Sequence, residues 1–85
     1  MNRNEVKAVV LEALTDIAPE VTPGQIVGGV PLRDQLDLDS MDFLNFIIGL
    51  NKRLQVTIPE TDYAKIATLD NCLNYLLDAL NRRES

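Results

Sequence analysis

Proline and glycine are concentrated in one part of this 85-residue chain, and this constrains its fold more than any other feature. Of the four prolines and four glycines, six lie within residues 19–31. So many helix and strand breakers forbid a long regular element there. A long connection is unusual in a compact domain unless it packs or has a function. We therefore predict an ordered loop over residues 19–38 that contains one short helical turn. The side chains expected to anchor it are Ile26, Val27, Val30, Leu32, Leu36 and Leu38.

Residues 4–17 have the periodicity of an amphipathic helix. Its apolar residues recur at intervals of three and four, at Val6, Val9, Val10, Ala13, Leu14 and Ile17. This spacing places them on one helical face. Pro19 ends the helix, because the residue before a proline is biased away from the helical conformation.

A second helix is predicted over residues 40–54. Ser40 is assigned as its N-cap, because a serine oxygen can accept a hydrogen bond from a free amide of the first turn. The core face is assigned to Phe43, Phe46, Ile47, Leu50 and Leu54. A neighbouring face carries Met41, Leu44 and Ile48. A small domain cannot easily bury a helix on all sides, so this second face is predicted to contact a partner or ligand, with burial in the core as the alternative.

Two further helices are predicted in the second half of the chain. The first is short and covers residues 60–66. The second covers residues 68–80, with Thr68 as its N-cap, and Arg82 and Arg83 are expected just beyond its end, where positive charge is favourable. No alternation typical of a strand is present.

Composition agrees with one small folded domain and removes several classes of function. A hydrophobic fraction of 46% with 25% charged residues is ordinary for a globular protein. The sequence thus predicts an all-α fold, a small four-helix bundle of three long helices and one short helix, in a single domain over residues 1–85. The net charge of −5 argues against nucleic-acid binding, which needs a basic surface.

The counts of histidine and cysteine restrict the chemistry further. Histidine is absent and there is one cysteine, so neither a Ser-His-Asp triad nor an internal disulfide can form. No metal site is expected, and Cys72 is interpreted as a small buried apolar residue. No apolar run has the length of a targeting or membrane-spanning segment, so a cytoplasmic protein is expected.

Two segments carry a resemblance to a known family. Residues 36–44 read LDLDSMDFL, and residues 56–70 read VTIPETDYAKIATLD. Residues 36–44 resemble the modification site of acyl carrier proteins, with Asp39-Ser40-Met41 in place of the family's Asp-Ser-Leu motif. Residues 56–70 are similar to the Ile-Pro-acidic region of the same family, at the corresponding spacing. The likeness covers about residues 4–80 and is greatest to discrete carriers of fatty-acid-type systems.

The resemblance implies a carrier rather than an enzyme. Ser40 is expected to bear 4′-phosphopantetheine, transferred from coenzyme A by a separate phosphopantetheinyl transferase. The group would hold acyl intermediates as thioesters for acyl-transferring and acyl-modifying enzymes of fatty-acid, lipid or polyketide-type biosynthesis. A monomer is expected. The docking residues implied in the same way are Asp39, Met41, Asp42, Leu44 and Ile48.

Two departures from the family pattern concern charge and size. Typical fatty-acid carriers have a second helix rich in glutamate, whereas the matching positions here are Asn45, Asn51, Lys52 and Arg53. Negative charge gathers around the serine instead, at Asp34, Asp37, Asp39 and Asp42. Because charges at the rim of an interface govern encounter rate and partner choice, we predict a specialised carrier with its own client enzymes. Leu38, where a small residue is common, leaves the choice of transferase open.

Two other classes of protein are compatible with the sequence. A carrier-fold interaction or regulatory subunit would have the same bundle, with Ser40 serving only as a helix cap. A binder of small apolar ligands would take up its ligand without covalent attachment, also as Ser40→Ala. The sequence does not identify the acyl cargo, although Phe43, Phe46 and Ile47 indicate a well-filled interior.

Overall fold

The computed structural model describes residues 1–84, with side chains as far as Arg82, so that Ser85 of the predicted domain lies outside the described residues. Three long helices dominate: α1 (Arg3–Ile17), α3 (Ser40–Leu54) and α4 (Leu69–Glu84), with the short α2 (Leu32–Gln35) between the first two. Two 3₁₀ helices cover Pro23–Gln25 and Glu60–Ile66. Residues 1–84 contain no strand, and the predicted all-α fold is confirmed.

Helix α1 begins one residue earlier than predicted because Asn2 caps it. The Asn2 side chain accepts a hydrogen bond from the Glu5 amide at 2.8 Å, and the Glu5 carboxylate accepts one from the Asn2 amide at 3.0 Å. This reciprocal capping box satisfies two amides that lack partners inside the helix. The helix ends at Ile17, as predicted from Pro19.

The core lies where α1 packs against α3 and α4, and where the 3₁₀ helix Glu60–Ile66 packs against α4. The predicted core face of α3 is buried at every position: Phe43, Phe46, Ile47, Leu50 and Leu54. Cys72 is also buried, and burial raises the pKa of its thiol to about 12. The interpretation of Cys72 as a buried apolar residue is therefore confirmed.

The long connection is ordered, and it contains two short helices rather than one helical turn. Gln35 holds its backbone together: the side-chain amide donates to the carbonyls of Val27 at 2.8 Å and Val30 at 2.9 Å, and the side-chain oxygen accepts from the Val27 amide at 2.9 Å. The Leu32 amide donates to the Ala67 carbonyl at 2.8 Å, which ties the loop to the start of α4.

The prediction of anchoring side chains was partly wrong. Leu32 and Leu38 are buried and Ile26 and Leu36 are half-buried, but Val27 and Val30 are 56% and 38% exposed. Since Gln35 already fixes the backbone around the two valines, their side chains are not needed for anchoring.

Helix α4 starts at Leu69, where Thr68 caps it by accepting a hydrogen bond from the Asn71 amide at 3.1 Å. The predicted end near residue 80 was wrong, because the helix continues to Glu84 and includes Arg82 and Arg83. One cause is the ion pair between Arg82 and Asp78, one turn apart, at 2.9 Å. None of the helices in residues 1–84 combines the length and the apolar character that crossing a membrane requires.

Candidate functional site

The start of α3 differs from the prediction in one respect that matters for chemistry. Asp39, not Ser40, is the N-cap: its carboxylate accepts a hydrogen bond from the Asp42 amide at 2.8 Å. The Asp42 carboxylate in turn accepts from the Asp39 amide at 3.4 Å. Aspartate caps a helix as well as serine does, and Asp42 at the third helical position completes the capping box only if Asp39 is the cap. The Ser40 hydroxyl is therefore not used to cap the N-terminus of the helix, and Ser40 is exposed.

Arg33 lies directly beside that hydroxyl. Its guanidinium donates a hydrogen bond through Nη2 to Ser40 Oγ at 3.2 Å, and its Cζ stands 5.9 Å from the centre of the Phe43 ring. A cation over an aromatic face is attracted by the electron density of the ring. The ring therefore helps to hold Arg33 next to Ser40.

A tight reversal of the chain brings Arg33 to this place. Asp37 has a left-handed backbone with φ of 54°, and the Leu38 amide donates to the Arg33 carbonyl at 3.0 Å. This is the hydrogen-bond pattern by which many helices end, with aspartate among the residues that tolerate the left-handed conformation. Leu38 is buried after the turn, which fixes the reversal against the core.

A hollow of about 400 Å³ adjoins the serine. Its lining residues are Arg33, Ser40, Phe43, Leu44, Glu60 and Tyr63. The rings of Phe43 and Tyr63 meet edge to face, with centres 6.4 Å apart. Because Tyr63 belongs to the 3₁₀ helix Glu60–Ile66, that helix and α3 form the two walls. The hydroxyl thus stands at the edge of a partly aromatic hollow.

The second apolar face of α3 is exposed, which removes the alternative of its burial in the core. Met41 is 64% exposed, Leu44 36% and Ile48 39%. These three side chains, which we call the outer face of α3, follow Ser40 along the same helix. Apolar side chains grouped on a surface are typical of contacts with partners.

The predicted acidic residues lie around the start of α3, and they are not equivalent. Asp34, Asp37 and Asp39 are exposed, whereas Asp42 is half-buried and engaged with Asp39. The opposite end of the helix is basic: Lys52 is exposed, and Arg53 forms an ion pair with Asp16 of α1. The charge along α3 thus changes from negative to positive.

The structure brings the sequence-predicted residues Ser40, Met41, Asp42 and Leu44 into one region with Asp39 at its head, and it adds Arg33, which sequence reasoning missed. The site thus places an exposed hydroxyl beside a cation and at the edge of a hollow.

Comparison with known proteins identifies the family. A family model described as "Phosphopantetheine attachment site" matches residues 8–76. An acyl carrier protein of Campylobacter jejuni is 31% identical over 74 residues, which cover 86% of this chain and 88% of the relative. One from Thermosynechococcus vestitus is 29% identical over 80 residues, covering 89% and 93% respectively. A solved acyl carrier protein structure from Enterococcus faecalis superposes with a TM-score of 0.73 at 22% identity, covering 93% of this chain and 99% of the other.

The chain belongs to the acyl carrier protein family, which confirms the resemblance drawn from its two motif segments. Its members are carriers rather than catalysts, and their cofactor is 4′-phosphopantetheine. The residues at the start of α3 fit that group, because an exposed hydroxyl can be esterified and Arg33 offers a cation to a phosphate.

Proposed function

We propose that Ser40 bears 4′-phosphopantetheine and that the chain carries acyl groups on it to partner enzymes of fatty-acid, lipid or polyketide-type biosynthesis. The observation that carries the proposal is the exposed Ser40 hydroxyl, which the cap formed by Asp39 leaves available. Ser40 also lies within the matched residues 8–76. The thiol of the prosthetic group supplies the thioester chemistry.

The contribution of the chain to its own modification is to present the nucleophile. In the transfer, the Ser40 oxygen bonds to the phosphorus on the pantetheine side of the coenzyme A diphosphate. The bond from that phosphorus to the bridging oxygen breaks, adenosine 3′,5′-bisphosphate leaves, and the serine proton passes to a base of the transferase. Since Ser40 is fixed in the first turn of α3, its position is defined before the transferase binds.

The test is the intact mass of the protein after incubation with coenzyme A and a broad-specificity transferase. The chain contains one other serine, Ser85, which provides a matched control. We expect wild type and Ser85→Ala to gain the mass of one phosphopantetheine and Ser40→Ala to gain none. A folded wild type that stays unmodified with several transferases would favour the unmodified interaction subunit instead.

We further propose that the start and the outer face of α3 form the docking surface. Asp39 and Asp42 supply negative charge for basic residues of the partners, with Asp42 also serving the cap. Met41, Leu44 and Ile48 supply the apolar contact, in agreement with their exposure. Charge at such a surface steers encounter, and buried apolar anchors supply affinity.

The client enzymes are proposed to differ from those of housekeeping fatty-acid synthesis, because α3 carries Asn45 and Lys52 where an acidic helix is typical. The variant Asn45→Glu should be loaded faster than wild type by an acyltransferase of fatty-acid synthesis. Ala8→Glu, which adds the same charge at an exposed position of α1, should leave the rate unchanged. Equal rates for all three proteins would contradict the role assigned to the charge of α3.

A further inference from the structure

We propose that Arg33 binds the phosphodiester that joins the prosthetic group to Ser40, and thereby fixes the direction in which the arm leaves the protein. The inference rests on the proposed function. Its starting point is the hydrogen bond from Arg33 Nη2 to Ser40 Oγ at 3.2 Å, since that oxygen becomes the ester oxygen of the modified protein.

The guanidinium of Arg33 is available to bind an anion. Arg33 is exposed, and it forms no ion pair with any side chain that the structure describes, although Asp34 and Asp37 are close in sequence. Its contacts are Ser40 Oγ and the ring of Phe43. An arginine has five N–H donors in a planar fork that matches two phosphate oxygens at once. Most of these donors are unused before modification.

The electrostatics of the first turn make such a contact valuable. Esterification adds one negative charge beside the carboxylates of Asp39 and Asp42, which the capping box holds in place. Like charges at short range raise the energy of the modified state, and an arginine next to a new phosphate offsets that cost through charge-assisted hydrogen bonds. The amides at the start of α3 act in the same sense.

The location of Arg33 also suggests where the arm goes. Arg33 and Ser40 both line the hollow of about 400 Å³ whose other walls include Phe43, Leu44 and Tyr63. A phosphate held by Arg33 over the Phe43 ring would start the arm at the rim of this hollow. Without Arg33, the ester could rotate freely about the bonds of Ser40.

The test compares unmodified and modified forms of wild type, Arg33→Gln, Arg33→Lys and Lys52→Gln by urea denaturation. Lys52→Gln removes the same charge from an exposed position at the far end of α3. Modification changes the equilibrium between the folded and unfolded states of each protein. That change should favour the folded state about two- to fivefold less in Arg33→Gln than in wild type. Arg33→Lys should lie between them, because an ammonium contacts phosphate as a point charge, and Lys52→Gln should match wild type.

Phosphorus NMR of the modified proteins supplies a readout that a merely structural role would not move. The phosphodiester resonance should shift in Arg33→Gln and stay in place in Lys52→Gln. If fully modified wild type and Arg33→Gln have the same stability change and the same phosphorus resonance, the role of Arg33 is overturned and the proposed function stands. A wild type that gains no phosphopantetheine mass would remove both this inference and the proposed function.

Discussion

Helix α3 has two faces of similar apolar chemistry in opposite environments. On the inner face, Phe46 and Ile47 are 0% and 1% exposed, whereas Met41 and Ile48 on the outer face are 64% and 39% exposed. The inner face is buried in the core, where α3 packs against α1, and the outer face is not, although both faces carry apolar residues. The inner face determines where α3 lies, and the outer face determines what a partner meets beside Ser40. Substitutions should therefore separate stability from recognition.

The largest expected effect is on the inner face. Phe46→Ala should lower the free energy of unfolding by about 3–5 kcal/mol, because it removes a fully buried ring and leaves a cavity. The milder Ile47→Val, which keeps the protein folded, should cost about 0.5–1.5 kcal/mol. Urea denaturation followed by circular dichroism measures both. Met41→Ala on the outer face is the control, and a loss as large as that of Phe46→Ala there would refute the assignment of the two faces.

The next effect concerns the turn from which both faces start. Asp39→Ala should lower the free energy of unfolding by about 0.5–2 kcal/mol through loss of the cap. Asp39→Asn keeps a capping side chain but removes the charge, so it should be more stable than Asp39→Ala. If the transferase modifies both variants more slowly than wild type, the charge of Asp39 acts in docking. Equal stability of the two variants would contradict the capping role.

A smaller and pH-dependent effect is expected at the wall of the hollow. Tyr75 of α4 donates a hydrogen bond to Asp62 at 2.6 Å, which ties down the 3₁₀ helix that carries Tyr63. This bond, assisted by Lys65, lowers the pKa of Asp62 in the folded protein. The ionised Asp62 therefore stabilises the fold fully at pH values above the usual pKa of an aspartate, and this stabilisation is lost as the pH falls through the lowered pKa. Tyr75→Phe should therefore be less stable than wild type at neutral pH, and the difference should shrink in acid.

At alkaline pH the stability difference between wild type and Tyr75→Phe depends on Tyr75 itself, and it should shrink as the pH rises. Burial and the bond to Asp62 raise the pKa of Tyr75 to about 12, so the contribution of the neutral phenol is complete below its usual pKa of 10.0 and is lost as pH rises through about 12. Urea midpoints of wild type and Tyr75→Phe across pH measure both limbs. A difference that stays constant from acid to neutral pH would show that Asp62 is not the partner that matters.

The smallest effect on stability is expected on the outer face. Leu44→Ala should change the free energy of unfolding by less than about 0.5 kcal/mol, because Leu44 is 36% exposed. It should nevertheless lower kcat/KM of the transferase by about fivefold or more if Leu44 anchors the contact. Val30→Ala, at a similarly exposed position outside α3, is the matched control. Identical kinetics of the two variants would remove Leu44 from the docking surface.

The helices could be predicted because their signals are local. The bounds 40–54 of α3 agree with Ser40–Leu54 in the structure, since apolar periodicity and the capping residues define them. The cap itself was assigned one residue too late, at Ser40. Asp39 and Ser40 are both good caps. The signal that distinguishes them is Asp42, an acidic residue three positions after Asp39, where a capping box usually has glutamate. A similar signal, Asn2 with Glu5, marked the start of α1.

The position of Arg33 could not be predicted in the same way. It depends on the left-handed backbone of Asp37 and on burial of Leu38, and these bring together two side chains seven residues apart. Neither a helix period nor a turn propensity encodes such a contact, because it arises only when the loop packs against the core. The exposure of Val27 and Val30 has the same origin, since Gln35 does the anchoring expected of them.

Helix α3 is thus proposed to present Ser40 and its outer face to partners while its inner face packs in the core. The most direct test is an NMR titration of the isotopically labelled protein with the transferase that modifies it. The amide resonance of Ser40 and the amide and methyl resonances of Met41, Leu44 and Ile48 should change. The amide resonances of α1 residues such as Lys7 should not. Changes centred on α1 or α4, with the start of α3 unaffected, would contradict the account.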